Sequence, residues 1–187
     1  MKYLVLLLFT FNVNASFFDD VEYAVEYSRH QTQMEWKGAS AAKFRFSLNQ
    51  LGVVVFKNDF GVRLVYGQGN ATKPNLDGKH QDLFIHLKSA VDLEFLYRYK
   101  LYDKTFAYAG VGYYWQHVPI SNFDDTFYKD DRDNDIGYTL GLDHKMNEHL
   151  SAQFVFHHYS RISASKNDRG AMGSTHNALG ISFRYTF

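Results

Sequence analysis

The chain ends on Leu179-Gly180-Ile181-Ser182-Phe183-Arg184-Tyr185-Thr186-Phe187, with an apolar side chain at every second position. Leu179, Ile181, Phe183, Tyr185 and Phe187 share one face, while Gly180, Ser182, Arg184 and Thr186 share the other. That is the period-2 pleat of a β-strand with one greasy side and one polar side. The same alternation recurs upstream. Tyr23, Val25 and Tyr27 alternate with Glu22, Ala24, Glu26 and Ser28. Phe60, Val62, Leu64 and Tyr66 alternate with Gly61, Arg63, Val65 and Gly67. Val91 to Leu101 set an apolar row against Asp92, Glu94, Arg98 and Lys100. Further rows are Ala107, Ala109, Val111, Tyr113 and Trp115; then Ile136 to Leu142; then Leu150, Ala152, Phe154 and Phe156.

Short turns are expected at Asn58-Asp59, Asp103-Lys104 and Met146-Asn147, and long polar connections at 29–41, 68–88, 116–134 and 161–174. Ala42 to Phe56 is long enough to split at Asn49-Gln50. An even strand count favours one strand here, with a bulge at Asn49. The sum is an all-β chain, an eight-stranded antiparallel transmembrane β-barrel.

Composition agrees. Aromatic residues make up 18% of the 187 residues, and there are 2 Pro and no Cys, so backbone ladders and packing must hold the chain without disulfides. Lys plus Arg and Asp plus Glu balance at 20 each, which argues against a nucleic-acid partner. A mean hydropathy of −0.36 fits a barrel whose alternate residues alone meet lipid.

The terminal row with its closing Phe187 resembles the C-terminal signal of bacterial outer-membrane β-barrel proteins. That resemblance implies recognition by the barrel-assembly machinery. Met1-Lys2, the apolar run Tyr3 to Phe11 and Val13-Asn14-Ala15 form the parts of a secretory leader, so residues 1–15 are expected to be removed and 16–187 to form the barrel. The apolar run is shorter than the about 20 residues of a membrane-spanning helix. The alternating pattern as a whole resembles the small OmpA/OmpX-type barrels. It implies a place in the bacterial outer membrane among lipid and lipopolysaccharide, and roles in envelope integrity or surface interaction through the loops.

Charges between the apolar rows point inward. Glu22, Glu26, Asp92, Glu94 and Asp143 are expected to face Arg45, Arg63, Arg98, Lys100 and Arg184 in a narrow lumen. In such a space charges must pair, so the interior is expected to be plugged. Asp131-x-Asp133-x-Asp135 echoes a calcium loop, but Ile136 stands where glycine belongs and Leu142 where a bidentate glutamate belongs. His30, His86, His117, His157, His158 and His176 are scattered near the polar ends without the convergence a metal needs. No metal and no cofactor are expected.

One motif carries chemistry. In His157-His158-Tyr159-Ser160, strand phase puts His158 and Ser160 on the lipid side, with the imidazole within reach of a hydroxyl it could activate as a nucleophile. The last third, through His158-Tyr159-Ser160 and Asn167-Asp168, resembles the lipid A 3-O-deacylase family of small outer-membrane barrels. That resemblance implies an ester hydrolase with His158 as base and Ser160 as nucleophile. The family's oxyanion Asn after the serine is Arg161 here, and its orienting Glu is replaced by Met172. A structural or surface-interaction role is therefore the first expectation and deacylation the alternative.

Overall fold

The computed structural model describes residues 21–37, 42–69, 71–72, 83–122, 128–161 and 173–187. The leader at residues 1–15, Asp168 and Met172 lie outside them. Ten strand segments occur: β1 Val21–Lys37, β2 Ala42–Lys57, β3 Phe60–Gly69, β4 Ala71–Thr72, β5 Leu83–His86, β6 Ser89–Tyr102, β7 Thr105–Asn122, β8 Tyr128–Lys145, β9 Leu150–Arg161 and β10 Gly173–Thr186. The register that pairs Gly67 with Ala90 also pairs Ala71 with His86, so β3 with β4, and β5 with β6, are two long strands each interrupted once.

The result is eight antiparallel staves. β1 pairs with β10 and β7 with β8, which closes the ring. Closure removes the unpaired strand edges that an open sheet would present. The interruption at Leu87-Lys88 is bridged by Gly69 N–H to Leu87 O and Lys88 N–H to His117 O, each 2.9 Å. Pairing with β7 shifts there by one residue, as Ile85 opposes Ile120 but Ser89 opposes His117. This is a β-bulge.

The bulge expected at Asn49 is absent. β2 runs in unbroken register against β1 and β3, with Asn49 opposite Arg29 and Gln68. Both polar residues there keep the alternation because each finds a partner. Gln50, pointing inward, donates to Asp92 at 2.5 Å, and Asn49, pointing outward, accepts from the Tyr27 hydroxyl at 3.3 Å.

The polar connections are also shorter than expected. β1 pairs with β2 out to Trp36 and Ala42, and β7 with β8 out to Ser121 and Tyr128. Asp131, Asp133 and Asp135 therefore lie on a strand rather than in a loop. Beyond the apolar zone an outward polar residue carries no penalty, so hydrophobic alternation fades while the ladder continues.

At the other end the turns are tight. Asn58 and Asp59 alone separate Lys57 from its partner Phe60, and Asn58 has φ 56°. Asn and Gly tolerate that left-handed region; β-branched residues do not. Asn58→Val is expected to lower stability by about 1–2 kcal/mol and Asn58→Gly to be near neutral, as measured by urea unfolding of the folded barrel.

Polarity is inverted relative to a soluble protein. Val62, Leu64, Phe95, Val111, Leu140, Phe154 and Ile181 are exposed on the outer wall, while Arg63, Glu94, Arg184, Glu26 and Gln153 are buried inside. A continuous apolar outer wall is the surface a lipid-embedded barrel requires.

Candidate functional site

The interior is organised by two arginines. Arg63 on β3 reaches Glu26 on β1 at 3.1 Å and forms a close ion pair with Glu94 on β6. Its Nε also donates to Glu94 at 2.6 Å. Arg184 on β10 joins Glu26 at 3.1 Å to Asp143 on β8 at 2.7 Å. Tyr114 donates to Glu94 at 2.8 Å, and Gln153 to Asp143 at 3.0 Å. The Arg184 guanidinium lies 5.2 Å from the Phe56 ring centre. Asp143, Arg184, Glu26, Arg63 and Glu94 thus form one chain of contacts across the lumen.

These residues meet because each sits at inward phase on its stave and the two guanidinia each bridge two carboxylates. Glycines make the room. A Cβ on Gly112 would come within 2.7 Å of Glu94 Cγ and 2.8 Å of the Tyr114 hydroxyl. Toward the end opposite the tight turns, His157 Nδ1 lies 3.2 Å from Glu94, and its ring meets His30 edge-on at 4.9 Å. Tyr114 and Tyr159 pack edge to face at 4.4 Å beside them.

Two of the charges expected inside are not there. Even-numbered residues of β2 such as Leu48, Gln50, Val54 and Phe56 are the buried ones, so Arg45 falls on the outer face and is exposed. Lys100 has inward phase but stands at the turn-end rim, exposed and 3.4 Å from Asp103. Glu22 and Arg98, 2.9 Å apart, are only partly buried near that rim. Strand phase and depth, rather than charge balance, decide which ions enter the network.

On the outer wall, His158 and His157 take the phases expected, outward and inward. His158 is half-buried, stacks on Tyr138 at 5.0 Å, and its Nδ1 lies 2.7 Å from Asn177 Oδ1 on the adjoining strand. Ser160 stands two residues along β9, paired with Ile136 on one side and Thr175 on the other. The backbone thus places both on one strand face. Asn177 was missed by the sequence reasoning. The cross-strand register that brings it to His158 depends on a connection, residues 162–172, whose length hides the pairing.

Of the histidines considered as ligands, the structure brings His30 and His157 together inside the barrel. His117 and His158 lie on the other face of their strands. Among the described residues no three His, Cys, Asp or Glu side chains gather in a way that could hold a metal ion.

A closed ring of eight antiparallel staves, apolar outside and ionic inside, defines the class: a small β-barrel of the bacterial outer-membrane type. No family model matches the chain, and no curated protein does. Solved structures do. The surface protein A of Neisseria superposes with a TM-score of 0.64 at 10% identity, covering 90% of this chain and 100% of that one. OprG of Pseudomonas aeruginosa gives 0.52 at 18% identity, covering 89% and 96%. Ail, the attachment invasion locus protein of Yersinia pestis, gives 0.52 at 16%, covering 89% and 99%. At these identities the likeness is one of fold.

Proposed function

We propose that the protein is a plugged outer-membrane barrel with no transport path, acting as a structural or surface-interaction protein through the end that carries the long connections. The tight turns and the chain's end then lie in the periplasm and the loop end faces outward. The observation that carries this reading is the buried chain from Asp143 through Arg184, Glu26 and Arg63 to Glu94. Each of its two guanidinia bridges two carboxylates across the barrel, and an eight-stranded barrel has an interior that side chains just fill. Removing either arginine to let a solute pass leaves a buried carboxylate without its ion-pair partner, Glu94 for Arg63 and Asp143 for Arg184. Overproduction in a porin-depleted strain should leave the entry rate of a small sugar unchanged. A proportional rise in entry would overturn the reading.

A second reading is favoured by one contact. In a lipid A deacylase-like ester hydrolase, His158 would take the proton of the Ser160 hydroxyl as it attacks an acyl carbonyl, and its other nitrogen needs an orienting partner. Asn177, 2.7 Å from His158 Nδ1, supplies one where the sequence has Met172 in place of the expected glutamate. Under this reading, incubation with lipopolysaccharide releases one acyl chain, detected by mass spectrometry, and both Ser160→Ala and Asn177→Leu lower the rate. Loss of an oriented base costs on the order of 10^4-fold in hydrolases of the serine-histidine type, so residual activity equal to wild type would remove it.

A further inference from the structure

Toward the loop end, the outer wall of four adjacent staves changes from apolar to polar. Register pairs His158 on β9 with Asn177 on β10, Asn177 with Gln33 on β1, and Gln33 with Arg45 on β2. Strands lie about 4.8 Å apart, so this row is roughly 14 Å long. Nearer the middle of the wall, Gln31 donates to Ser47 at 2.8 Å, and a further row runs from Arg29 through Asn49 to Gln68 on β3. Arg29, Gln31, Arg45 and Asn177 are exposed.

Among the arginines whose side chains are described, Arg63, Arg98 and Arg184 all hold carboxylates. Among the described residues, Arg29 and Arg45 form no ion pair. Arg29 stands opposite Asn49, four residues along β2 from Arg45, which separates the two backbone positions by about 14 Å. Two guanidinium forks, each matched to a phosphate, are thus set apart with amides between them.

We infer that this sector binds the sugar headgroup of a phosphorylated glycolipid in the surrounding leaflet. Arg29 and Arg45 take phosphates, and Gln31, Gln33 and Asn177 take sugar hydroxyls. The ligand is a lipid rather than a soluble anion because these side chains project from the lipid-facing wall, not from the lumen. The inference rests on the outward orientation of the loop end proposed above. It does not depend on whether the lumen is plugged or the ester cleaved.

The test is native mass spectrometry of the intact barrel in phosphatidylcholine nanodiscs containing a small fraction of bisphosphorylated lipid A. Wild type should retain lipid A. R29Q/R45Q should retain about tenfold less, a conservative figure for losing two charge-assisted contacts. R29K/R45K should fall between them, and a folded-state mobility shift on unheated gels shows that each variant is assembled. Lipid A stripped of both phosphates should bind wild type and R29Q/R45Q equally weakly. Equal retention of the bisphosphorylated lipid by wild type and R29Q/R45Q would overturn the site. Displacement of that lipid by equimolar inorganic phosphate would overturn the assignment to a lipid. Loss of conductance silence or of hydrolysis would bear on the function proposed above and leave this binding result unchanged.

Discussion

R63M is expected to destabilise the folded barrel by about 3–5 kcal/mol, the loss that follows when one partner of a buried ion pair is removed. Arg63 is 1% exposed and holds both Glu26 and Glu94. Methionine fills most of its volume, so the loss reports charge rather than a cavity. Glu26 keeps Arg184, but Glu94 retains, among the described residues, the Tyr114 hydroxyl and the neighbouring His157. Neutralising the stranded carboxylate should therefore recover much of the loss, and R63M/E94Q is expected to be more stable than R63M alone. Urea unfolding in lipid vesicles, followed by tryptophan fluorescence, measures both. A change below about 1 kcal/mol for R63M, the size of an exposed surface pair, would mean that water reaches these charges freely.

L140R is expected to cost about 2–4 kcal/mol, because a charge on the lipid-facing wall near the middle of the bilayer cannot be solvated there. Leu140 lies midway along the apolar part of β8, 48% exposed, between Ala109 and Phe156 on the adjoining strands. The same change at Tyr99, near the turn-end rim, should cost about 0–1 kcal/mol. In a soluble barrel both positions would be ordinary surface, and arginine would be tolerated equally well at each. The difference between L140R and Y99R, measured in vesicles, therefore reports whether the wall meets hydrocarbon. Equal losses at the two positions would contradict a lipid-facing wall.

Much of this architecture is legible in the sequence where two environments impose opposite demands on alternate residues. Val62 and Leu64 against Arg63, and Phe95 against Glu94, can only be read one way. Legibility fades where either demand relaxes. Asn49-Gln50 resembles a turn because both residues are polar, yet one bonds inward and the other outward along an unbroken strand. Charge balance groups Arg45 with the interior, although its odd position in β2 puts it outside.

The candidate sites show the same division. His158 and its outward face follow from local alternation in β9 alone. Asn177 does not, because its contact depends on how β9 and β10 register across residues 162–172. The row from His158 to Arg45 draws on four strands distant in sequence, and only closure of the barrel brings them side by side.

Planar bilayer recording tests the proposal of a plugged barrel most directly. Purified wild-type protein, folded and inserted across a bilayer at neutral pH and applied voltages up to those the membrane withstands, is predicted to give a silent baseline. The guanidinia of Arg63 and Arg184 bridge the carboxylates that would otherwise line an ion path. Discrete, reproducible conductance steps from the wild-type barrel would contradict the account.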